Sequence, residues 1–466
     1  MITAGFNNNL GWSHTVNYPD LEEIYALDAD PDRADHYLFD GGSVPLTKED
    51  VTIQIKTEGG LVDGIRTFWH SPLGPVVHRT ADTIYVLKSA CYEEYRSYGE
   101  WYRMGLAKNL DEFMDALRML AIPMFNVCYA DKSGNIFYLW NGSVPNIPHA
   151  AQTDSAVHVS KSDQIWTKFH ALDELPQVLN PAAGYVFNSN SPPYLTVLEE
   201  PMDPSGFPPH FGKDALSLRS QLSLDLVHSA DMFSLEEVVA LKFDMRALLA
   251  FRVKDDLIAA VVESETNAEA LAAAQLLKNW NNRVSADSRG SVLFKTWWGL
   301  YSKDHTDAEN FATQWSRAEA TSSPRGLADT ARAVDAFKRA ISLLKEKYGS
   351  YDVLWGAIHR VRFGSVDVPV GGDGNALGCF RIIEYREDED GIFIANGGDG
   401  AIFAVEFGEI PRAYSVVAYS QSEVESAPHY NDQAALFAEN QMKRVAFTEA
   451  DIEQQLVAKY HPGETK

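Results

Sequence analysis

Residues 5–27 read GFNNNLGWSHTVNYPDLEEIYAL. Leu10 and Trp12 alternate with small and polar neighbours, the mark of an extended segment, and Asn17-Tyr18-Pro19-Asp20 is made of turn formers. The chain thus enters a strand almost at once. Outward from there, Val51, Ile53 and Ile55 alternate with polar residues in VTIQIKT, the period of a half-buried strand. IPMFNVCYAD (122–131) and NIFYLWN (135–141) flank Lys132-Ser133-Gly134, which predicts a hairpin. Between these strands Asn109, with Glu112 three residues on, opens a helix. The middle is helical. Ser234 and Glu237 form a capping box ahead of VVALKFDMRALLA, and Asn267 opens AEALAAAQLLKNW. A third run, LADTARAVDAFKRAISLLKEKYG, stops at Gly349, as a glycine C-cap would make it. Strands return in FRIIEYRED, GIFIANGG and AIFAVEFG, and a last helix opens near Thr448. Strands, helices and strands again predict an α+β fold whose outer strand groups share a sheet. With no internal repeat or low-complexity linker, the expectation is one unit over 1–466, with a helical insertion at roughly 225–350.

Composition narrows the function. With 40 Lys+Arg against 65 Asp+Glu the formal charge is −25, which argues against a nucleic-acid partner because phosphate binding needs clustered cations. No apolar run approaches the ~18 residues of a membrane span, and the first residues lack the basic start and apolar stretch of a signal peptide. Cys91, Cys128 and Cys379 are widely spaced, so they make no cysteine zinc site and at most one disulfide.

Several motifs fail on inspection. GGDGNALG at 371–378 mimics a nucleotide loop but runs into the strand pattern CFRIIEY, so no helix N-terminus faces a phosphate. DADPDRAD at 28–35 has Arg33 where a calcium loop needs glycine, and is expected to be a solvated turn. There is no HExxH and no GxSxG. His359, in WGAIH, has the chemistry of a base, but a buried, hydrogen-bonded structural histidine is the expected reading.

Four segments in order carry a resemblance: residues 5–27, AGYVFNSNSPPYLT (183–196), DALSLRSQL (214–222) and YSQSEVESAPHYNDQAALF (419–437). Together they resemble the penicillin acylase family of N-terminal-nucleophile hydrolases. SHTV, NSN, LFDGGSVPL and IPMFN are most similar to its acyl-homoserine-lactone and aculeacin acylase branch. The resemblance implies an αββα sandwich, incomplete at its N-terminus, and hydrolysis of the amide of an N-acyl compound. The small-molecule substrate would be an acyl-homoserine lactone or a related fatty-acyl amide. The alternatives are penicillin or cephalosporin side-chain removal and a catalytically dead acyl-binding scaffold. It further implies a larger subunit that pairs with a smaller α subunit from the same precursor, and a periplasmic or secreted full-length form.

In such enzymes a terminal serine is its own nucleophile and general base, so no Ser-His-Asp triad is needed. No Gly-Ser-Asn occurs in the chain, and the resemblance implies a nucleophile upstream of it, leaving this chain inactive by itself. By position in the motif, the Val16 backbone N–H and the Asn190 side-chain N–H match the two oxyanion donors, and Arg219 the arginine that holds the asparagine. Taken alone, NSNSPP is an ordinary turn, Val16 plain strand and Arg219 a surface charge. Met124 and Phe125 fall where the family lines its acyl pocket, and are equally suited to be core residues. Asp20 and Glu23 lie near calcium ligands of the penicillin G branch, but the other ligands are not found, so neither a metal nor a cofactor is expected.

Overall fold

Leu10 and Trp12 are buried, while Gly11 and Ser13 between them are only half covered, so the opening strand Leu10–Thr15 presents one apolar face. That face is completed by antiparallel neighbours. Gly5–Phe6 pairs on one side and Asn126–Asp131 on the other, followed by Ile136–Trp140 and Gln177–Leu179. The expected hairpin is present, with Asn126 opposite Trp140. Val127, Tyr129, Phe137 and Leu139 join Leu10 and Trp12 in a core closed by Met104 of the helix Ser97–Leu106 and by Phe113 and Leu117 of the helix Leu110–Leu117. Asn109 caps the latter by accepting the Glu112 N–H at 2.9 Å, as its sequence predicts.

A second sheet runs from Val157–His158 through Glu22–Asp28, Thr83–Ser89, Gly74–Arg79 and Gly60–Ser71 to Thr47–Thr57. Val51, Ile53 and Ile55 are the half-buried positions of its last strand, in the alternation read from the sequence.

This computed structural model describes residues 2–149, 155–461 and 463. Their contacts divide the chain into two units, Met1–Lys213 and Asp214–Lys466, where the sequence suggested one. The second unit begins with helices and has a core of its own built on Trp297, Phe337 and Trp355. Besides the antiparallel pair Phe311–Thr313 and Arg325–Leu327, its described strands form two small sheets. One orders Val366–Pro369, His359–Phe363, Phe393–Gly398 and Ile383–Glu387; the other orders Ala401–Glu406, Arg412–Val417 and Lys443–Arg444. Among the described residues no sheet mixes early and late strands, which corrects the shared-sheet expectation. Short connections explain the difference: neighbours such as Ala401–Glu406 and Arg412–Val417 satisfy each other before any distant partner is needed.

The helices match their caps with one exception. Leu235–Lys242 starts on its Ser234 cap and Ala268–Asn279 on its Asn267 cap, and Thr330–Tyr348 stops at Gly349, which takes the left-handed cap. VVALKFDMRALLA, expected as one helix, breaks after Lys242 and resumes at Leu248. Asp244 is the cause: its carboxylate accepts the Arg246 N–H at 2.9 Å, a local bond that replaces the helical one. Helix begins at Leu218, slightly before the expected insertion. All three cysteines are free. Among the described residues no helix is long and apolar enough to cross a membrane.

Candidate active site

Val16 follows the last residue of the strand Leu10–Thr15 and is exposed. Asn190 stands 174 positions later in an irregular segment, half-buried, with a left-handed φ of 62° that asparagine tolerates. The fold joins them: Asn190 Nδ2 donates to the Val16 carbonyl oxygen at 2.9 Å.

Three further asparagines surround the pair. Asn188 Oδ1 accepts the Asn190 backbone N–H at 2.8 Å, Asn126 Nδ2 at 3.1 Å and the Thr15 hydroxyl. Asn188 Nδ2 donates to Ser191 O at 2.9 Å. Asn126 is fully buried, and its own Oδ1 accepts the Tyr138 hydroxyl at 2.7 Å. On the other side of Val16, Asn17 Nδ2 donates to Asn141 O at 2.8 Å while its Oδ1 accepts the Phe125 N–H at 2.7 Å. Phe125 needs that anchor, because its φ of 110° is strained for a residue with a Cβ.

His14 completes the cluster. Its Nε2 accepts the Trp101 indole N–H at 3.0 Å, and indole can only donate, so the proton of the neutral ring is on Nδ1 and goes to Asn126 O at 3.1 Å. Burial pushes its pKa down to about 4. The Phe125 ring lies 5.4 Å from His14 and 6.4 Å from Trp101 between centroids. Met124, its neighbour, turns instead to the core of Tyr25 and Leu27. The two residues expected to line one pocket therefore pack against different cores.

Arg219 belongs to the second unit, in the first turn of the helix Leu218–Val227. Its Nε donates to Asn375 Oδ1. Asn375 lies in the glycine-rich stretch 371–378, where a short 3-10 turn and the left-handed Gly378 precede Cys379, with no α-helix to receive a phosphate. His359 is buried and hydrogen-bonded, as expected. Its ring stacks 3.7 Å from Trp355, and its Nδ1 pairs with Trp355 O at 3.1 Å. Glu23 is buried with Oε2 3.9 Å from His149 Nε2, and desolvation raises its pKa.

The sequence profile of the penicillin amidase family matches residues 1–454. The chain belongs to the penicillin amidase family. Among curated proteins, it is 28% identical over 490 residues to "Acyl-homoserine lactone acylase PvdQ" of Pseudomonas fluorescens strain Pf0-1, covering 97% of this chain. It is 26% identical over 505 residues to "Aculeacin-A acylase" of Actinoplanes utahensis, with the same coverage. The chain spans 62% of the length of each of these relatives. Among solved structures, a thermostable penicillin G acylase from Alcaligenes faecalis superposes with a TM-score of 0.68 at 20% identity, over 99% of this chain and 89% of that one. That likeness shows the N-terminal-nucleophile hydrolase fold expected for a penicillin amidase.

Within this family member, sequence reasoning named Val16 and Asn190 but missed Asn188, Asn126, Thr15, Asn17 and His14. A usable signal was present. SHTVN crowds hydrogen-bonding side chains around one apolar residue, and IPMFN ends on an asparagine inside a strand, where an amide has little reason to be unless it is paired.

Proposed function

We propose that this chain supplies the oxyanion-binding part of a linear-amide hydrolase acting on N-acyl compounds, an acyl-homoserine lactone or a related fatty-acyl amide. The nucleophilic serine comes from outside these 466 residues, and its own α-amine is the base. Attack on the amide carbonyl places a negative charge on its oxygen, and the Val16 N–H and an Asn190 amide N–H stabilise it. Neutral, fixed donors suit this task because they are oriented before the charge develops. No cofactor or metal enters this chemistry. Phe125 and its neighbour Met124 contact the acyl chain. The enzyme is a two-subunit product of one precursor that acts in the periplasm or outside the cell.

The observation that carries the reading is the Asn190–Val16 hydrogen bond, which joins two groups of the proposed oxyanion hole across 174 positions of sequence. In the active enzyme Asn190→Ala should lower kcat by about 10²–10³-fold, the usual effect of removing one such donor, with KM moving much less. Steady-state hydrolysis of a fatty-acyl amide decides it: a folded, processed Asn190→Ala enzyme with normal kcat would refute the assignment.

A further inference from the structure

We infer that Asn188 is a positioning residue for both oxyanion donors, an inference that rests on the function proposed above. Its side-chain oxygen is the shared acceptor of the Thr15 hydroxyl and the Asn190 backbone N–H. Thr15 precedes Val16, and Asn190 closes the ring with its amide on Val16 O. Four residues from two distant segments therefore form one closed circuit, Thr15–Val16–Asn190–Asn188, with the Asn188 carbonyl as its corner. Losing that corner frees the backbone of Asn190 and the hydroxyl next to Val16 together.

The corner is held from behind. Asn126, fully buried in the adjoining strand, donates to both Asn188 Oδ1 at 3.1 Å and Thr15 Oγ1 at 3.0 Å. Its own oxygen accepts the Tyr138 hydroxyl, and Asn188 Oδ1, which can only accept, fixes which way its amide points. Asn188 Nδ2 is in turn held by Ser191 O, so the Asn188 amide also has one orientation. Each donor thus reaches its place through hydrogen bonds that lead back to a rigid sheet. A donor displaced by a fraction of an ångström loses much of its value, because transition-state stabilisation depends on that geometry.

The test uses the active, processed enzyme. Asn188→Ala should lower kcat about tenfold, the value of one well-made hydrogen bond, while KM stays within about twofold. Thr15→Val, which keeps the shape and removes only the hydroxyl, should show a smaller loss with the same split and guards against a folding defect in the first variant. Independently of turnover, hydrogen exchange at the Asn190 amide should speed up in Asn188→Ala. Wild-type kcat or unchanged exchange at Asn190 in a folded Asn188→Ala protein overturns the inference, provided Asn190→Ala is slow. If Asn190→Ala also turns over normally, the oxyanion assignment falls and this inference with it.

Discussion

Protonating His14 would set an imidazole N–H against the Trp101 indole N–H, two donors face to face. Burial already disfavours the charged ring, and the pKa falls from 6.5 to about 4. The sign of the consequence follows from the unfolded state, which takes up that proton below pH 6.5 while the native state does not. His14 thus removes stability as the pH drops from 6.5 towards 4, by up to about 3 kcal/mol. Urea unfolding at pH 7 and pH 4.5 should show that loss, and His14→Gln, which cannot titrate, should lack this component of the slope. An equal slope in both proteins would mean that His14 is protonated in the fold. Asn190 illustrates how far a residue can be read in isolation. In NSNSPP it is indistinguishable from a turn asparagine, and only the fold shows that its amide meets the Val16 carbonyl from 174 positions away.

At the level of elements, one buried acid ties a helix to the approach of a site strand. Glu100 of the helix Ser97–Leu106 has no solvent exposure, and its Oε2 accepts the Ala121 and Ile122 N–H groups at 2.6 and 3.0 Å. Burial raises its pKa to about 7 despite those bonds. Here the sign is opposite to that of His14. The unfolded carboxyl ionises near pH 4.5 and the native one near 7, so stability is lost as pH rises between them. Glu100→Gln keeps an acceptor for both N–H groups without the ionisation. It should be more stable than the parent at pH 7, by up to about 3 kcal/mol, and the gain should vanish below pH 4.5. Denaturant midpoints across that range measure it; a variant less stable at pH 7 would show that the charge is well solvated. Element boundaries were legible wherever a cap was local, as at Asn109, Ser234 and Gly349. They were not legible at Asp244, whose effect depends on whether its carboxylate turns back onto the chain.

At the scale of the molecule, the larger of the second unit's cores is one to which the helices Leu248–Ser264, Ser291–Tyr301 and Thr330–Tyr348 all contribute. Phe337 is fully buried in it. Phe337→Ala should cost about 3–5 kcal/mol through lost burial and an unfilled cavity. Amide exchange should quicken along all three helices, since they share that core; a change confined to Thr330–Tyr348 would mean that the helices open separately.

The sequence by itself determined what depends on neighbours in the chain. Alternation at Val51, Ile53 and Ile55 set a strand's two faces, Lys132-Ser133-Gly134 set a hairpin, and caps set most helix ends. Ordered segments over nearly the whole chain were enough to determine the family. Tertiary structure alone decided which strands share a sheet and where the chain divides into two units. It also turned Met124 and Phe125 to different cores, and gathered Asn126, Asn188 and Thr15 around Val16 and Asn190. The reason is physical. Periodicity and capping act over a few residues, whereas an amide such as Asn188 can adopt many pairings, and only the partners that folding brings within about 3 Å select one of them.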